Sequence, residues 1–382
     1  MAKNIVFVMH GIGEYDQDWL ADHSSAAYQL RRAAKDYGFF EGKSLDTYVE
    51  FVPILYDDVF KRILKHWHDL GGELAAAVPN MPGAAEKAVN LLQQADGDQW
   101  AIQFAGDVVL YWGFRLFQQR VILRVLAQIT EKIAETITAD DVVPGYHVLA
   151  HSLGTAVAHD ALHHLGTEDW LAALKQAPLD ADADAEAKAE RDRYVNSVAQ
   201  LRDKLGVANP LHPKRFQFES VTMLSNVSGL IHPSESPYHS IVRPGTSNDE
   251  SAYTQNYVNV NHKYDPVSLA GNFKMPQSWT LQGGYDLRVD HVLDVNIHGA
   301  AHYVAHPNVH LRLLQFYVDP YAAGSEDLKA IARFQKAHGI ENLAADLKQQ
   351  VKALVEIDGE GIDRLTAALG KLQALTGKGA DQ

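Results

Sequence analysis

The residue of this chain with the clearest potential for chemistry is Ser152, in the stretch YHVLAHSLGTAVAHDAL at positions 146–162. An apolar run precedes the serine and a helical pattern of small residues follows it, so Ser152 stands at a strand-to-helix turn. Such a turn is sharp, and the residues two places before and after it must be small, as Ala150 and Gly154 are. The pattern favours a nucleophilic serine. A helix-capping serine in an ordinary turn is the alternative.

A serine nucleophile needs a base and an orienting carboxylate, which follow a turn of this kind in the order serine, acid, histidine. Asp265 comes shortly after the predicted strand in YVNVNHKYDPVS, directly before a Pro-Val pair that stops the strand. Three histidines follow the last apolar run: His298, His302 and His306. We predict His302 as the base, because a tyrosine and a helix start follow it. His298, at the strand end, is the alternative base.

A glycine-rich turn, HGIG at positions 10–13, directly follows the first apolar run of the chain. A dinucleotide fingerprint would need a glycine three places beyond Gly13, where Asp16 stands, and the chain contains no P-loop motif. The turn therefore fits a transient oxyanion better than a bound phosphate, with the backbone N–H groups of Ile12 and Leu153 as the predicted donors. An ordinary glycine-rich turn remains the alternative.

The composition argues against several classes of partner and cofactor. The formal net charge is −14, from 48 acidic and 34 basic residues, which disfavours nucleic acid or an anionic membrane as the main partner. There is no cysteine, which excludes thiolate metal ligands, and the histidines lack the H-E-x-x-H spacing. We expect neither a metal nor an organic cofactor.

The chain shows no targeting or membrane-spanning pattern. Its first residues run straight into an apolar strand without the basic and apolar regions of a signal peptide. No uninterrupted apolar run approaches the ~18 residues that suggest a transmembrane helix. We therefore expect a soluble, cytoplasmic protein with no transmembrane segment.

Short apolar runs alternate with helical patterns along the chain, which predicts an α/β fold with a doubly wound, mainly parallel sheet. A long helical pattern at 121–137 is one of the connections. The predicted strands are 5–9, 49–55, 146–150, 220–226, 257–261 and 292–297.

Two segments are too long for simple crossovers, and the end of the chain is helical. We divide the chain into a main domain over 1–322, with insertions at about 56–120 and 163–215, and a helical extension over 323–382. In the extension, leucines and other apolar residues recur every three or four positions between 343 and 372. These helices need a surface to pack on, so we expect them either to dock on the main domain or to form a homodimer.

The motifs HGIG (10–13), AHSLG (150–154), KYDPV (263–267) and AAHYVAHPNV (300–309) together resemble the α/β-hydrolase superfamily, specifically its serine esterases and lipases. The resemblance covers the main domain. It implies an acyl-enzyme mechanism with Ser152, Asp265 and His302 as the triad, and a helical cap formed by the first insertion. Carboxylic esters, small or lipid-like, are the implied substrates. Acyl transfer by the same triad and a non-catalytic interaction protein with this fold are the alternatives.

Overall fold

A computed structural model describes residues 2–11, 15–59, 115–137, 144–167, 185–231, 240–246, 249–265, 267–268, 273–291 and 298–338. The strands of this part of the chain form one six-stranded sheet in the order β2-β1-β3-β4-β5-β6. Every pair of neighbouring strands is parallel. The strands are β1 (Asn4–Met9), β2 (Val49–Ile54), β3 (Tyr146–His151), β4 (Phe218–Leu224), β5 (Thr254–His262) and β6 (Gly284–Val289).

Helices connect these strands. Short 3₁₀ helices lie at Trp19–Ala21, Gly38–Phe40 and Leu45–Thr47. The α-helices are α1 (Ala26–Ala34), α2 (Arg115–Thr136), α3 (Leu153–Gly166), α4 (Ala185–Leu205), α5 (Ser228–Ile231), α6 (Gln277–Thr280), α7 (Ala300–Ala305), α8 (Pro307–Tyr317) and α9 (Ser325–His338).

The sheet is buried on both faces, and successive residues of β1 point to opposite faces, as a strand requires. Phe7 and Met9 belong to a core that includes buried residues of α2, α3 and α4. Val6 and Val8 belong to a second core, formed with α1 and α8 on the other face. Burial on both faces explains why β1 reads as an almost continuous apolar run.

The predicted α/β fold with a parallel sheet is confirmed, and the first five predicted strands all overlap observed ones. The fourth runs over Phe218–Leu224, two residues earlier than the predicted 220–226. The sixth prediction, 292–297, lies outside the described residues, and the sequence analysis missed β6 at Gly284–Val289. The helical pattern at 121–137 lies almost wholly within α2.

The insertions and the C-terminal extension are described only in part. Of the first insertion, residues 60–114 lie outside the described range, and so do residues 168–184 of the second. The extension begins with α9, and the apolar repeat at 343–372 also lies outside the described residues. The cap, the domain boundaries and the homodimer therefore stay predictions.

The carboxyl ends of the parallel strands meet at one edge of the sheet, where open α/β sheets bind their ligands. Ser152 directly follows β3, and Ser225 directly follows β4. Asp265 lies three residues beyond the end of β5. The topology thus brings polar residues from three neighbouring strands to one place.

Candidate active site

Ser152 occupies a strained turn between β3 and α3. Its backbone has φ 55° and ψ −128°, a conformation that costs a non-glycine residue on the order of 1–3 kcal/mol. The backbone N–H of Ser152 donates to the carbonyl of Leu224 at the end of β4, 2.9 Å away, and this bond helps to hold the turn. The serine is almost fully buried. Strain of this kind persists where the surrounding structure enforces it, and it is frequent at functional sites.

Small residues around Ser152 allow the close approach that this turn requires. A Cβ on Gly154 would overlap the carbonyl oxygen of His10 and lie 3.0 Å from that of Met9. A Cβ on Gly11 would lie 2.8 Å from the Cβ of Ser152. The two glycines therefore let the loop after β1 pack directly against the serine, which is the spatial relation predicted from the two motifs.

His298 joins Ser152 to Asp265 through two hydrogen bonds. Its Nε2 lies 2.8 Å from the Ser152 Oγ, and its Nδ1 lies 2.9 Å from the Asp265 Oδ2. Because a carboxylate can only accept, Nδ1 carries the proton and Nε2 accepts from the serine hydroxyl. The three side chains form the hydrogen-bonded chain that a serine nucleophile, its base and an orienting acid require.

The structure does not bring His302, the predicted base, to Ser152. His302 lies within α7, one helical turn beyond His298, and its Nε2 bonds the carbonyl oxygen of His291 at 2.8 Å. His298 instead precedes the cap residue of α7, Gly299, and so lies outside the helix. The alternative base named from the sequence thus holds the position next to Ser152. His306, the third histidine, caps the N-terminus of α8.

Asp265 is fully buried and accepts several hydrogen bonds. Its Oδ2 accepts from the hydroxyls of Ser225 at 2.8 Å and Ser268 at 3.1 Å, and also from Tyr303. Burial by itself raises the pKa of Asp265, but the charge of His298 and the hydrogen bonds outweigh it. The net effect holds the pKa of Asp265 below its ordinary value, so the carboxylate is ionised at neutral pH.

Two of these Asp265 partners were missed by the sequence analysis. Ser225 has a positive φ of 50°, which aims its hydroxyl from the end of β4, and Ser268 follows the Asp-Pro-Val turn. Serines are too common for their positions to be noticed without the fold. A strained residue at a second strand end could only have been found from the structure.

His151 contacts both the backbone and the ring of His298. Its Nε2–H donates to the backbone carbonyl of His298 at 2.6 Å, and the two ring centroids are 4.8 Å apart. Burial lowers the pKa of His151 to about 3, so the ring is neutral at pH 7 and adds no charge beside His298. The sequence offered one signal for this residue, its place directly before Ser152.

Of the two predicted oxyanion donors, Leu153 belongs to the described residues and Ile12 does not. Leu153 is the first residue of α3, so its N–H is one of the groups that no carbonyl within the helix can reach. It also follows Ser152 directly, at the N-terminal end of a helix dipole, where negative charge is favoured.

Within the described ranges, one group of three side chains has the geometry to hold a metal ion: His262, His291 and His302. The group does not include Ser152, His298 or Asp265. Over the same ranges, no helix is both long enough and apolar enough to cross a membrane.

Comparisons of the chain with family models, with curated proteins and with solved structures each found no match. The function is therefore inferred from the geometry around Ser152.

Proposed function

We propose that the protein is a serine hydrolase that cleaves carboxylic esters through an acyl-enzyme on Ser152. His298 serves as the general base and Asp265 as its orienting partner. The parallel sheet and the turn at Ser152 support an α/β-hydrolase fold, in which the insertion at about 56–120 would form a cap over the site. The observation that carries the proposal is the hydrogen-bonded chain from Ser152 through His298 to Asp265.

In the first half-reaction His298 Nε2 takes the proton of the Ser152 hydroxyl as the Oγ attacks the ester carbonyl carbon. The carbonyl oxygen becomes an oxyanion, which the Leu153 N–H stabilises together with a second donor that we assign to Ile12. His298 then returns its proton to the leaving alkoxide, and the alcohol departs from the acyl-enzyme. Water, activated by the same histidine, releases the acid.

Asp265 fixes the tautomer and the orientation of His298. Its carboxylate accepts the Nδ1–H, so the Nε2 lone pair faces Ser152 before the reaction. When His298 takes up a proton, the nearby negative charge stabilises the imidazolium. The lowered pKa of Asp265 keeps that charge in place at neutral pH.

Esters are the proposed substrates because these groups suffice for ester cleavage, with an alkoxide leaving group and water as the acceptor. The test uses p-nitrophenyl esters of graded chain length with the wild-type chain, Ser152→Ala and Ser44→Ala. Ser44 is an exposed serine whose hydroxyl donates to Asp46 and not to His298, so its variant is the control. We expect Ser152→Ala to lose at least ~10⁴-fold in kcat/KM and Ser44→Ala to keep full activity.

A fluorophosphonate provides an independent readout, since it should label Ser152 in the wild type and in Ser44→Ala but not in Ser152→Ala. Labelling at another serine, or full turnover in Ser152→Ala, would refute the proposal. An added acceptor alcohol separates hydrolysis from acyl transfer. If ester products with that alcohol dominate over the free acid, the protein is an acyltransferase that uses the same residues.

A further inference from the structure

Three buried histidines lie together near the candidate active site. The contacts that start at Ser152 pass through His298, Asp265 and Tyr303 before they reach this group. His262 ends β5, His291 follows β6 and His302 lies in α7. Their exposed fractions are 1%, 3% and 2%. One ring nitrogen of each lies within 4.8 Å of a ring nitrogen of the other two. The proposed esterase reaction uses none of these three side chains.

Backbone carbonyls fix which nitrogen of each ring carries the proton. The Nε2 atoms of His262 and His302 both face the carbonyl oxygen of His291, at 2.7 and 2.8 Å. The Nε2 of His291 faces the carbonyl oxygen of His302 at 2.8 Å. Since a carbonyl oxygen can only accept, each Nε2 donates, and in the neutral ring each Nδ1 bears a lone pair.

This arrangement is the one that accompanies histidine ligands in metal sites. A metal-bound histidine almost always donates its other ring N–H to a carbonyl or carboxylate, which fixes the tautomer and aims the lone pair. Here the carbonyls of two of the three residues supply that support.

One lone pair of the group has no partner in the described structure. The Nδ1 of His291 is buried and accepts no hydrogen bond from the described residues. A buried polar atom left unpaired destabilises the fold, so it calls for an explanation. The Nδ1 of His262 accepts the N–H of Tyr264 at 3.1 Å, a bond that metal binding at that atom would replace.

Acidic groups near the three rings also suit a cation. The negative charges of Asp265 and Asp290 act on His262 and would offset part of the charge of an ion.

We propose that His262, His291 and His302 bind a divalent transition-metal ion of the zinc type. Imidazole nitrogens suit zinc, and three histidines with a fourth position for water form a known zinc ligand set. Zinc–nitrogen bonds of about 2.0–2.1 Å place the ligands of a tetrahedral site about 3.3 Å apart. The ring nitrogens of the three histidines lie up to 4.8 Å apart, so the rings must rotate as the ion binds, and the nearly parallel rings of His291 and His302 must turn out of their stacked arrangement.

The bound ion would act as a structural brace for the catalytic segments. His262 lies three residues before Asp265, and His302 lies four residues after His298 and directly before Tyr303, which donates to Asp265. A metal ion at this position ties the loop that carries the acid to the helix that follows the base. It takes no part in the reaction, so chelation is expected to lower stability rather than abolish turnover.

The test titrates Zn²⁺ into the full chain, produced without a histidine tag and stripped with a chelator. We expect one tightly bound zinc per chain and, at 100-fold excess over the dissociation constant, a rise in Tm of about 3 °C. The variant His291→Gln keeps a donor that can reach the carbonyl of His302 but replaces the imidazole ligand. It should weaken zinc binding at least ~100-fold and remove the rise in Tm.

His310→Gln is the matched control, because His310 is a buried histidine that instead bonds Tyr37 and the carbonyl of Val304. This variant should bind zinc like the wild type. X-ray absorption at the zinc edge of the wild-type chain counts the imidazole ligands directly and does not depend on any variant folding. We expect three. Two or fewer imidazoles, no saturable binding, or equal binding in a folded His291→Gln would overturn the proposal.

Discussion

The identity of the base can be decided by replacing His298 and His302 separately with glutamine. Glutamine is similar in length to histidine and can still form hydrogen bonds, but it cannot take up a proton at neutral pH. Only the His298 ring lies within hydrogen-bond reach of the Ser152 Oγ, among the described side chains, at 2.8 Å. Removing it takes away both the base and the link to Asp265.

The expected loss in the His298 variant follows from how triads work as units. General-base assistance alone contributes about 10²–10⁴-fold, and losing one member of a triad can cost as much as losing all three. We expect His298→Gln to lower kcat/KM by about 10⁴- to 10⁶-fold, which corresponds to about 5–8 kcal/mol of activation free energy. His302→Gln keeps a group that can donate to the carbonyl of His291 and should change kcat/KM by less than about 10-fold.

The assay is p-nitrophenyl ester hydrolysis, followed for both variants beside the wild type. Circular dichroism and the unfolding midpoint of each variant establish that it is folded, and fluorophosphonate labelling reports the nucleophilicity of Ser152 independently of turnover. Labelling should be slow in His298→Gln and near normal in His302→Gln. The reasoning fails if folded His298→Gln keeps more than about 1% of kcat/KM, or if His302→Gln loses as much as His298→Gln.

Two further predictions concern stability. Gly154→Ala should lower the free energy of unfolding in urea by about 3 kcal/mol, because the new Cβ meets the backbone of His10 and Met9. The control Gly38→Ala has nothing near its new Cβ and should change this free energy by less than about 1 kcal/mol. Equal effects of the two substitutions would contradict the explanation from packing. Burial lowers the pKa of His147 to about 3, so between pH 6.5 and about 3 the unfolded chain binds a proton that the folded chain does not, and stability must fall as the pH falls. At pH 5.5 this loss is about 1.4 kcal/mol for His147, measured as the difference between the urea curves at pH 7.5 and 5.5, and a His147→Gln variant whose pH dependence matches the wild type would contradict it.

The sheet could be predicted from the sequence where its strands are buried on both faces. The run at 5–9 is wholly apolar and the run at 146–150 is apolar except for His147, because layers of helices cover them on either side. β6 escaped the same reasoning because, among the strands of the described residues, it is the last in the sheet and pairs with β5 alone. Its residues Asp286 and Arg288 break the apolar pattern, and Asp286 instead accepts a hydrogen bond from Asn259 of β5.

The candidate site divides in the same way between local and tertiary information. The turn at Ser152 and the position of Asp265 could be predicted, because each is marked by residues adjacent to it in the chain. The choice between His298 and His302 could not, since both follow the last apolar run and differ by one helical turn. Where α7 begins decides between them: the helix starts at Ala300, which leaves His298 before it and His302 inside it.

The three clustered histidines make the limit of sequence reasoning clearest. His262, His291 and His302 are separated by 29 and 11 positions, a spacing that matches no local metal-binding motif. They meet because β5 and β6 are parallel neighbours, which brings the residues after both strands to the same edge of the sheet, and because α7 returns to that edge. The same topology delivers Ser152, Ser225 and Asp265 from β3, β4 and β5. The carboxyl-terminal end of the sheet thus holds both the proposed catalytic chain and the proposed metal ligands. Two consecutive residues of α7 join the two groups: Tyr303 contacts Asp265, and His302 contacts His291.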